Sequence, residues 1–292
     1  MVIVNIQGRF GNQMFGFALY RQLVKTGKEV YIDLSYNRLD EQAKRERAAF
    51  AIQPNIDLFG FEYPLIDDET ALEYLNDRNN RNLLKRWEYR IFPQRCKCYE
   101  ERSTAVFDKK VLKLDDVYLN GYWQSEKYFI GAQKEVRQMY RFPNLFTDYQ
   151  KRMLEEIIEK QSVSVHIRRG DYLNHPEIYG TTTIDYYKNA MSYMQDRRED
   201  IHFYIFTNDI PWAEHHFEGK NITVIKGSDD LMTGNLDMAL MAECKDNIIA
   251  NSSFSWWAAW LNRNAEKIVI APRAWEMNQS TQDIWCENWI KM

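Results

Sequence analysis

Apolar positions along the chain switch between the twofold alternation of strands and the three-to-four spacing of helices. Val2 to Ile6 is a short apolar run that reads as a strand, and Gln7 to Gly11 follows as a glycine-bearing turn. Asn12 is placed to cap the helix behind it, in which Met14, Phe15, Ala18, Leu19 and Leu23 fall at helical spacing and which Gly27 ends. Val30-Tyr31-Ile32 reads as a second strand, which completes a strand–turn–helix–strand unit of the Rossmann-like kind. From Leu34 to about Phe107 the pattern is less regular, with helices predicted around Asp67 to Asn76 and Arg78 to Tyr89. Val117-Tyr118-Leu119 is a strand that ends in Asn120-Gly121-Tyr122-Trp123-Gln124. Helices are predicted next from about Glu126 to Tyr140 and from Thr147 to Lys160.

The second half alternates more cleanly. Strand Val163–Ile167 leads to a helix over Ile184–Asp196, and strand His202–Phe206 to a short helix from about Pro211. Strand Ile222–Ile225 leads to helix Leu236–Cys244, strand Asn247–Ala250 to helix Phe254–Asn262, and strand Lys267–Ala271 closes the set. Such alternation predicts a parallel sheet wound on both faces. The expected class is α/β, with two Rossmann-like domains, a boundary near Lys160 (1–160 and 161–292) and a central cleft between them.

Composition narrows the function classes. The 292 residues are 45% hydrophobic and 27% charged, as in soluble globular proteins. A net charge of −4 argues against a nucleic-acid binder, which usually has a basic face. No stretch of about 18 apolar residues is present, and the start, Met1-Val2-Ile3-Val4-Asn5-Ile6, reads as a strand rather than a signal peptide. The four cysteines (Cys96, Cys98, Cys244, Cys286) follow neither a disulfide-scaffold nor a zinc spacing and read as reduced thiols of a cytoplasmic protein.

The chemistry gathers where predicted strands end. His166-Ile167-Arg168-Arg169-Gly170-Asp171-Tyr172 closes the strand of the second half, and ligands of open α/β sheets bind beyond the carboxyl ends of strands. Two guanidiniums there suit a diphosphate, since their planar forks match phosphate oxygens. A solvated arginine pair with Asp171 as its salt-bridge partner fits the same residues, as does a core role for His166. Gly8-Arg9-Phe10-Gly11-Asn12-Gln13 matches neither the dinucleotide fingerprint nor the P-loop. It does sit at a first β–α turn, where backbone N–H groups favour anions. Asn208 and Asp209 of Phe206-Thr207-Asn208-Asp209 fit a ligand contact or a helix cap equally. In Asn251-Ser252-Ser253-Phe254-Ser255-Trp256-Trp257, at a strand-to-helix junction, three serines and an asparagine present hydroxyls and backbone donors suited to phosphate. The tryptophans behind them fit core packing or sugar stacking. No Asp-x-Asp pair and no cluster with metal-ligand spacing occurs, so arginine is expected to supply the cation and no metal or other cofactor is expected. The basic, aromatic-rich segment 78–102 fits a solvated helix face, a glycan contact, or peripheral contact with the inner face of a membrane.

Taken together, GRFGNQMF at 8–15, HIRRGDY at 166–172, FTND at 206–209 and NSSFSWWAAWL at 251–261 resemble the bacterial α-1,2-fucosyltransferases, the family-11 glycosyltransferases. The arginine motif alone is shared with α-1,6- and protein O-fucosyltransferases. The resemblance implies a GT-B fold, GDP-β-L-fucose as donor, no metal requirement and inversion at the anomeric carbon. The acceptor it implies is a terminal β-galactoside of an oligosaccharide or surface polysaccharide, modified at its 2-hydroxyl. By position, Arg168 and Arg169 match the arginines that bind the donor pyrophosphate, and His166 and Asp171 match the other fixed members. Arg9 departs from the hydrophobic residue of many members and matches the protein O-fucosyltransferase version, whose Arg and Asn point into the donor cleft. This implies Arg9 and Asn12 as donor-binding residues.

The catalytic set read from the chain is Asp171, His166 and Arg169. The donor set is Arg9, Asn12, Arg168, Arg169, Asn208, Asp209, Asn251, Ser252, Ser253 and Phe254. Competing readings are a fucosyltransferase of another linkage, an enzyme using another GDP-sugar, a non-catalytic glycan-binding protein, and a glycosidase with two carboxylates across a cleft.

Overall fold

The structure is a computed structural model that describes residues 1–34, 55–78, 96–180, 182–227, 234–277 and 282–292, with Asn55, Asn76, Asp77, Arg78 and Asp171 described for their backbone alone. The helix expected over Arg78–Tyr89 and most of the basic segment 78–102 lie outside the described residues. The chain divides into two compact units, Met1–Arg141 with Gln282–Ile284, and Phe142–Thr281 with Trp285–Met292. Both are α/β units built on all-parallel sheets, as the strand–helix alternation predicted. The helix Asp148–Glu159, which the sequence reading put before the boundary, belongs to the second unit, where Gln150 donates a hydrogen bond to Asp237.

In the first unit the strands are β1 (Val2–Asn5), β2 (Val30–Asp33), β3 (Cys98–Glu100) and β4 (Val117–Asn120), ordered β2-β1-β4-β3. Helix Phe10–Lys25 buries Phe10, Met14, Phe15, Phe17, Ala18, Leu19 and Leu23, and Gly27 takes up a left-handed φ of 84° just past its end. The helix starts three residues earlier than expected. Arg9 occupies the cap position, and Asn12 lies in the first turn with its Oδ1 accepting from Gln124 Nε2 at 2.8 Å. The single helix expected over Glu126–Tyr140 is instead two short 3-10 turns, Glu126–Tyr128 and Ile130–Ala132, followed by helix Gln133–Met139. Consecutive helical side chains point about 100° apart. Here Tyr128 and Phe129 are both buried, the first against Phe107 and Trp123, the second against Phe15, and the backbone breaks at Phe129 to turn both inward.

The second unit orders β5 (Gln161–Ile167), β6 (Ile201–Thr207), β7 (Ile222–Val224), β8 (Asp246–Ile248), β9 (Val269–Ala271) and β10 (Ile290–Lys291) as β10-β9-β8-β5-β6-β7. The central strand β5 shows why its sequence alternates. Val163, Val165 and Ile167 pack with Phe203, Ile205 and Ile248 under helix Ile184–Gln195. The residues between them carry polar groups into the opposite layer, and each finds a partner there. Ser162 Oγ donates to the Ile157 carbonyl (2.8 Å), Ser164 Oγ accepts from Asn247 (2.7 Å), and His166 meets Ser255 (2.9 Å). Helix Ser253–Leu261 closes that layer with Trp256, Trp257 and Trp260, all buried, so these tryptophans are core and not a sugar platform.

Candidate active site

The three motifs of the second half end on neighbouring strands. β8, β5 and β6 are adjacent, so Asn251-Ser252-Ser253, Arg168-Arg169-Gly170 and Asn208-Asp209 come together at one edge of the sheet. They are also tied to one another. The Tyr172 hydroxyl donates to the Asn251 carbonyl (3.1 Å), and the Arg169 N–H donates to Asn208 Oδ1 (2.9 Å).

Gly170 makes the turn possible. Its φ is +55°, and a Cβ there stands 2.4 Å from Asn208 Nδ2, so a side chain is excluded twice over. The turn separates the two arginines. Arg168 lies over the Tyr172 ring (5.3 Å to the centroid), which itself stacks on Tyr179 at 4.3 Å. Arg169 donates from Nε to Asp209 Oδ2 (2.9 Å) and lies over the Trp212 indole at 4.1 Å. The other oxygen of Asp209 accepts the Trp212 N–H (3.2 Å) as the cap of helix Ile210–His216. Capping and charge pairing, which looked like alternatives in the sequence, are thus both served, one oxygen each.

His166 belongs to the layer between sheet and helix. Its Nδ1 lies 2.9 Å from Ser255 Oγ, while that hydroxyl is 3.4 Å and 3.3 Å from the carbonyls of Ala250 and Ser252. The tautomer that satisfies all these groups carries its proton on Nδ1 and leaves Nε2 the lone pair. Burial, helped by the nearby positive charge of Arg168, pulls the His166 pKa down to about 3. An imidazole that protonates so low is neutral at working pH and a weak base.

Asn251 is buried with its amide spent on protein, donating to the carbonyls of Trp275 (2.9 Å) and Tyr179 (3.3 Å). Ser252 stands at the cap of helix Ser253–Leu261 without a side-chain cap bond, and Ser253 opens the helix. That nine-residue helix has its positive dipole end at this edge of the sheet. Phe254 lies beside the His166 ring at 5.7 Å. Asp171 is in the short 3-10 turn Gly170–Asn174, and its side chain is outside the described residues.

Arg9 and Asn12 belong to the first unit. Gly8 (φ +77°) lets the backbone pass where a Cβ is 2.6 Å from Asn12 Nδ2 and 3.0 Å from Tyr122 Cε1. Arg9 is exposed, and its carbonyl accepts from Asn12 and Gln13 as the helix begins. Next to it, the turn after β4 carries a bulky residue in the left-handed region, Trp123 at φ +56°. Glu101 holds this turn by accepting the N–H of Tyr122 (2.6 Å) and of Trp123 (3.3 Å) on one oxygen. Burial pushes the Glu101 carboxyl up to about 7 against those two hydrogen bonds.

Sequence reasoning gave no site role to Trp212, Tyr122, Gln124 or Glu101, and it read Ser255 as one of three phosphate-suited serines where the structure makes it the partner of His166. Trp212 lies three residues beyond Asp209, so proximity to that motif was the available signal; nothing in the sequence points to Glu101. Among the described residues no three His, Cys, Asp or Glu side chains group as a metal would need, no disulfide forms, and no helix is long and apolar enough to cross a membrane.

Known proteins agree on the kind of molecule. An alpha-1,2-colitosyltransferase of Escherichia coli is 30% identical over 319 aligned residues, covering 100% of this chain and 99% of that protein. Galactoside alpha-(1,2)-fucosyltransferase 1 of Mus musculus is 24% identical over 87% of this chain and 61% of its own length, so the chain spans about three-fifths of that relative. Among solved structures, the NodZ alpha-1,6-fucosyltransferase soaked with GDP-fucose superposes with a TM-score of 0.45 at 16% identity, over 89% of this chain and 91% of that one. The sequence profile described as Glycosyl transferase family 11 matches residues 72–292. The chain therefore belongs to glycosyl transferase family 11 and is a glycosyltransferase.

Proposed function

We propose that the protein transfers L-fucose from GDP-β-L-fucose to the 2-hydroxyl of a terminal β-galactoside, with inversion at the anomeric carbon and without a metal ion. The observation that carries this reading is the convergence of Arg168, Arg169 and the Ser252–Ser253 helix start at the carboxyl ends of two adjacent strands, β5 and β8. A diphosphate leaving group is the ligand that such a set suits. The names of the relatives, one a galactoside α-(1,2)-fucosyltransferase and one an α-1,2-colitosyltransferase, support the linkage.

The acceptor hydroxyl attacks the anomeric carbon as the bond from that carbon to the β-phosphate oxygen breaks, through an oxocarbenium-like state. The electron pair stays with GDP, where Arg168 and Arg169 neutralise it, helped by the N–H groups at the start of the serine helix. The hydroxyl proton passes to Asp171, the remaining carboxylate of the motif. His166, neutral and bonded to Ser255, enters as a positioning group that fixes the strand end on the helix. Asn251 braces the same edge through its two carbonyl partners. Arg9 and Asn12 are read as further donor-binding residues. The reaction is assigned to the cytoplasm, and the basic segment 78–102 is read as a contact for the acceptor or for the inner face of a membrane.

A second reading follows from the colitosyltransferase that aligns over the whole chain. L-Colitose is L-fucose without its 3-hydroxyl, so either sugar suits the same diphosphate clamp. Incubation with GDP-fucose or GDP-colitose and a panel of β-galactosides, in EDTA and in magnesium, separates the two, with the new linkage located by NMR. An α-1,2-fucosylated product that forms equally in EDTA is expected. No product from either donor, another linkage, or loss of transfer in EDTA overturns the proposal.

A further inference from the structure

Arg169 is held from three directions by one short segment that follows β6. Asn208 accepts its backbone N–H, Asp209 accepts from its Nε, and Trp212 lies under the face of its guanidinium. Asp209 also accepts the Trp212 N–H, so arginine, aspartate and tryptophan form a closed triangle in which each member touches the other two. Asp209 N–H is itself fixed on Thr207 Oγ1 at 3.1 Å. Among the described residues, no hydrogen-bond acceptor meets the two terminal nitrogens of Arg169, and its side chain keeps 24% of its exposure. A guanidinium pinned by Nε and by one face has a single way left to present its remaining N–H groups.

We propose that Asp209 and Trp212 are positioning residues for Arg169, which they aim at the diphosphate of a nucleotide-sugar without touching that ligand themselves. This rests on the reading of the edge as a diphosphate site. It changes the place of Asp209, which the sequence suggested as a donor contact. A carboxylate beside a diphosphate repels it, so a direct contact is the costlier arrangement, whereas a carboxylate spent on Nε and on a helix cap adds order at little electrostatic loss. Trp212 contributes a flat, half-buried face, and a guanidinium over an indole is the strongest common form of cation–π contact.

Positioning and ligand contact predict different kinetics. For Asp209→Asn, loss of the ion pair disorders Arg169, while removal of a negative charge favours the anion. Turnover should fall about tenfold or more while GDP affinity, read by calorimetry, changes less than about threefold. Trp212→Leu should lower kcat by about 3- to 30-fold, and Trp212→Phe, which keeps an aromatic face, should restore most of it. The clamp is also visible without any ligand. In a proton–nitrogen correlation spectrum the Arg169 Nε–H, assigned by its absence in Arg169→Lys, should be slow to exchange and shifted by the indole ring, and both properties should vanish in Asp209→Asn and Trp212→Leu. Wild-type turnover in Trp212→Leu, GDP weakened by Asp209→Asn as much as by Arg169→Ala, or an unshifted Nε–H overturns the inference. A wild type that keeps the shifted Nε–H yet ignores GDP overturns the diphosphate reading, and with it the proposed target of the clamp.

Discussion

A neutral, buried His166 predicts a particular loss of stability in acid. An ordinary histidine protonates near 6.5, whereas His166 holds out to about 3. Between those values the unfolded chain binds a proton that the folded chain refuses, so stability is complete above 6.5 and drains away as pH falls toward 3. At pH 5 the expected loss from this one residue is about 2 kcal/mol, and near pH 3 it approaches about 5 kcal/mol. His166→Asn keeps an N–H able to reach Ser255 Oγ but has nothing to titrate. It should be less stable than wild type at pH 8, because the shorter side chain leaves space, yet it should lose about 2 kcal/mol less on going to pH 5. The assay is urea unfolding of both proteins at several pH values between 8 and 5, followed by tryptophan fluorescence. All other groups titrate alike in the two proteins, so the difference between the curves isolates position 166. Curves that stay parallel down to pH 5 would refute the neutral, buried imidazole and would restore His166 as a candidate proton carrier.

Arg168→Ala and Arg169→Ala should each lower transfer about 100- to 1,000-fold with the circular dichroism spectrum unchanged; a double variant with near-normal turnover sinks the donor assignment. Gly170→Ala should cost about 2 kcal/mol in urea unfolding, part for the left-handed backbone and part for the Asn208 bond that the new methyl displaces, and it should slow transfer through Arg169. Glu101 protonates near 7 instead of 4.5, so the stability tied to its proton is full at low pH and is lost as pH rises through 7. Glu101→Gln, a mimic of the protonated acid, should therefore gain about 2 to 3 kcal/mol on wild type between pH 4.5 and 8, and an unchanged difference across that range counts against a buried acid.

The readable parts of this molecule are those in which local pattern and tertiary packing agree. β5 alternates so regularly that its faces, its end and the turn at Gly170 follow from the residues, and Thr147 with Gln150 marks the start of its helix through a capping box. β3 and β10 were not legible because Cys98-Tyr99-Glu100 and Ile290-Lys291 are short and lack the run of apolar or β-branched residues that marked Ile222–Val224 and Val269–Ala271. The break at Phe129 was hidden because Phe129, Ala132 and Val136 keep helical spacing even though the backbone between them is not one helix. At the site, the motifs located the edge of the sheet but not the division of labour within it. Asn251 and Asp209 have the side chains of ligand contacts, and only the fold reveals that their oxygens and amides are spent on Trp275, Tyr179, Arg169 and Trp212.

The short excursion at Gln282–Ile284 bears on how the chain is made. These residues belong to the first unit, where Asp283 accepts the Phe107 N–H and pairs with Lys127, its own N–H reaches the Ala105 carbonyl, and Ile284 is fully buried. During synthesis the ribosome releases residues 1–141 long before this piece exists. The first unit can therefore complete its packing around Ile284 only after residues 142–281 of the second have been translated.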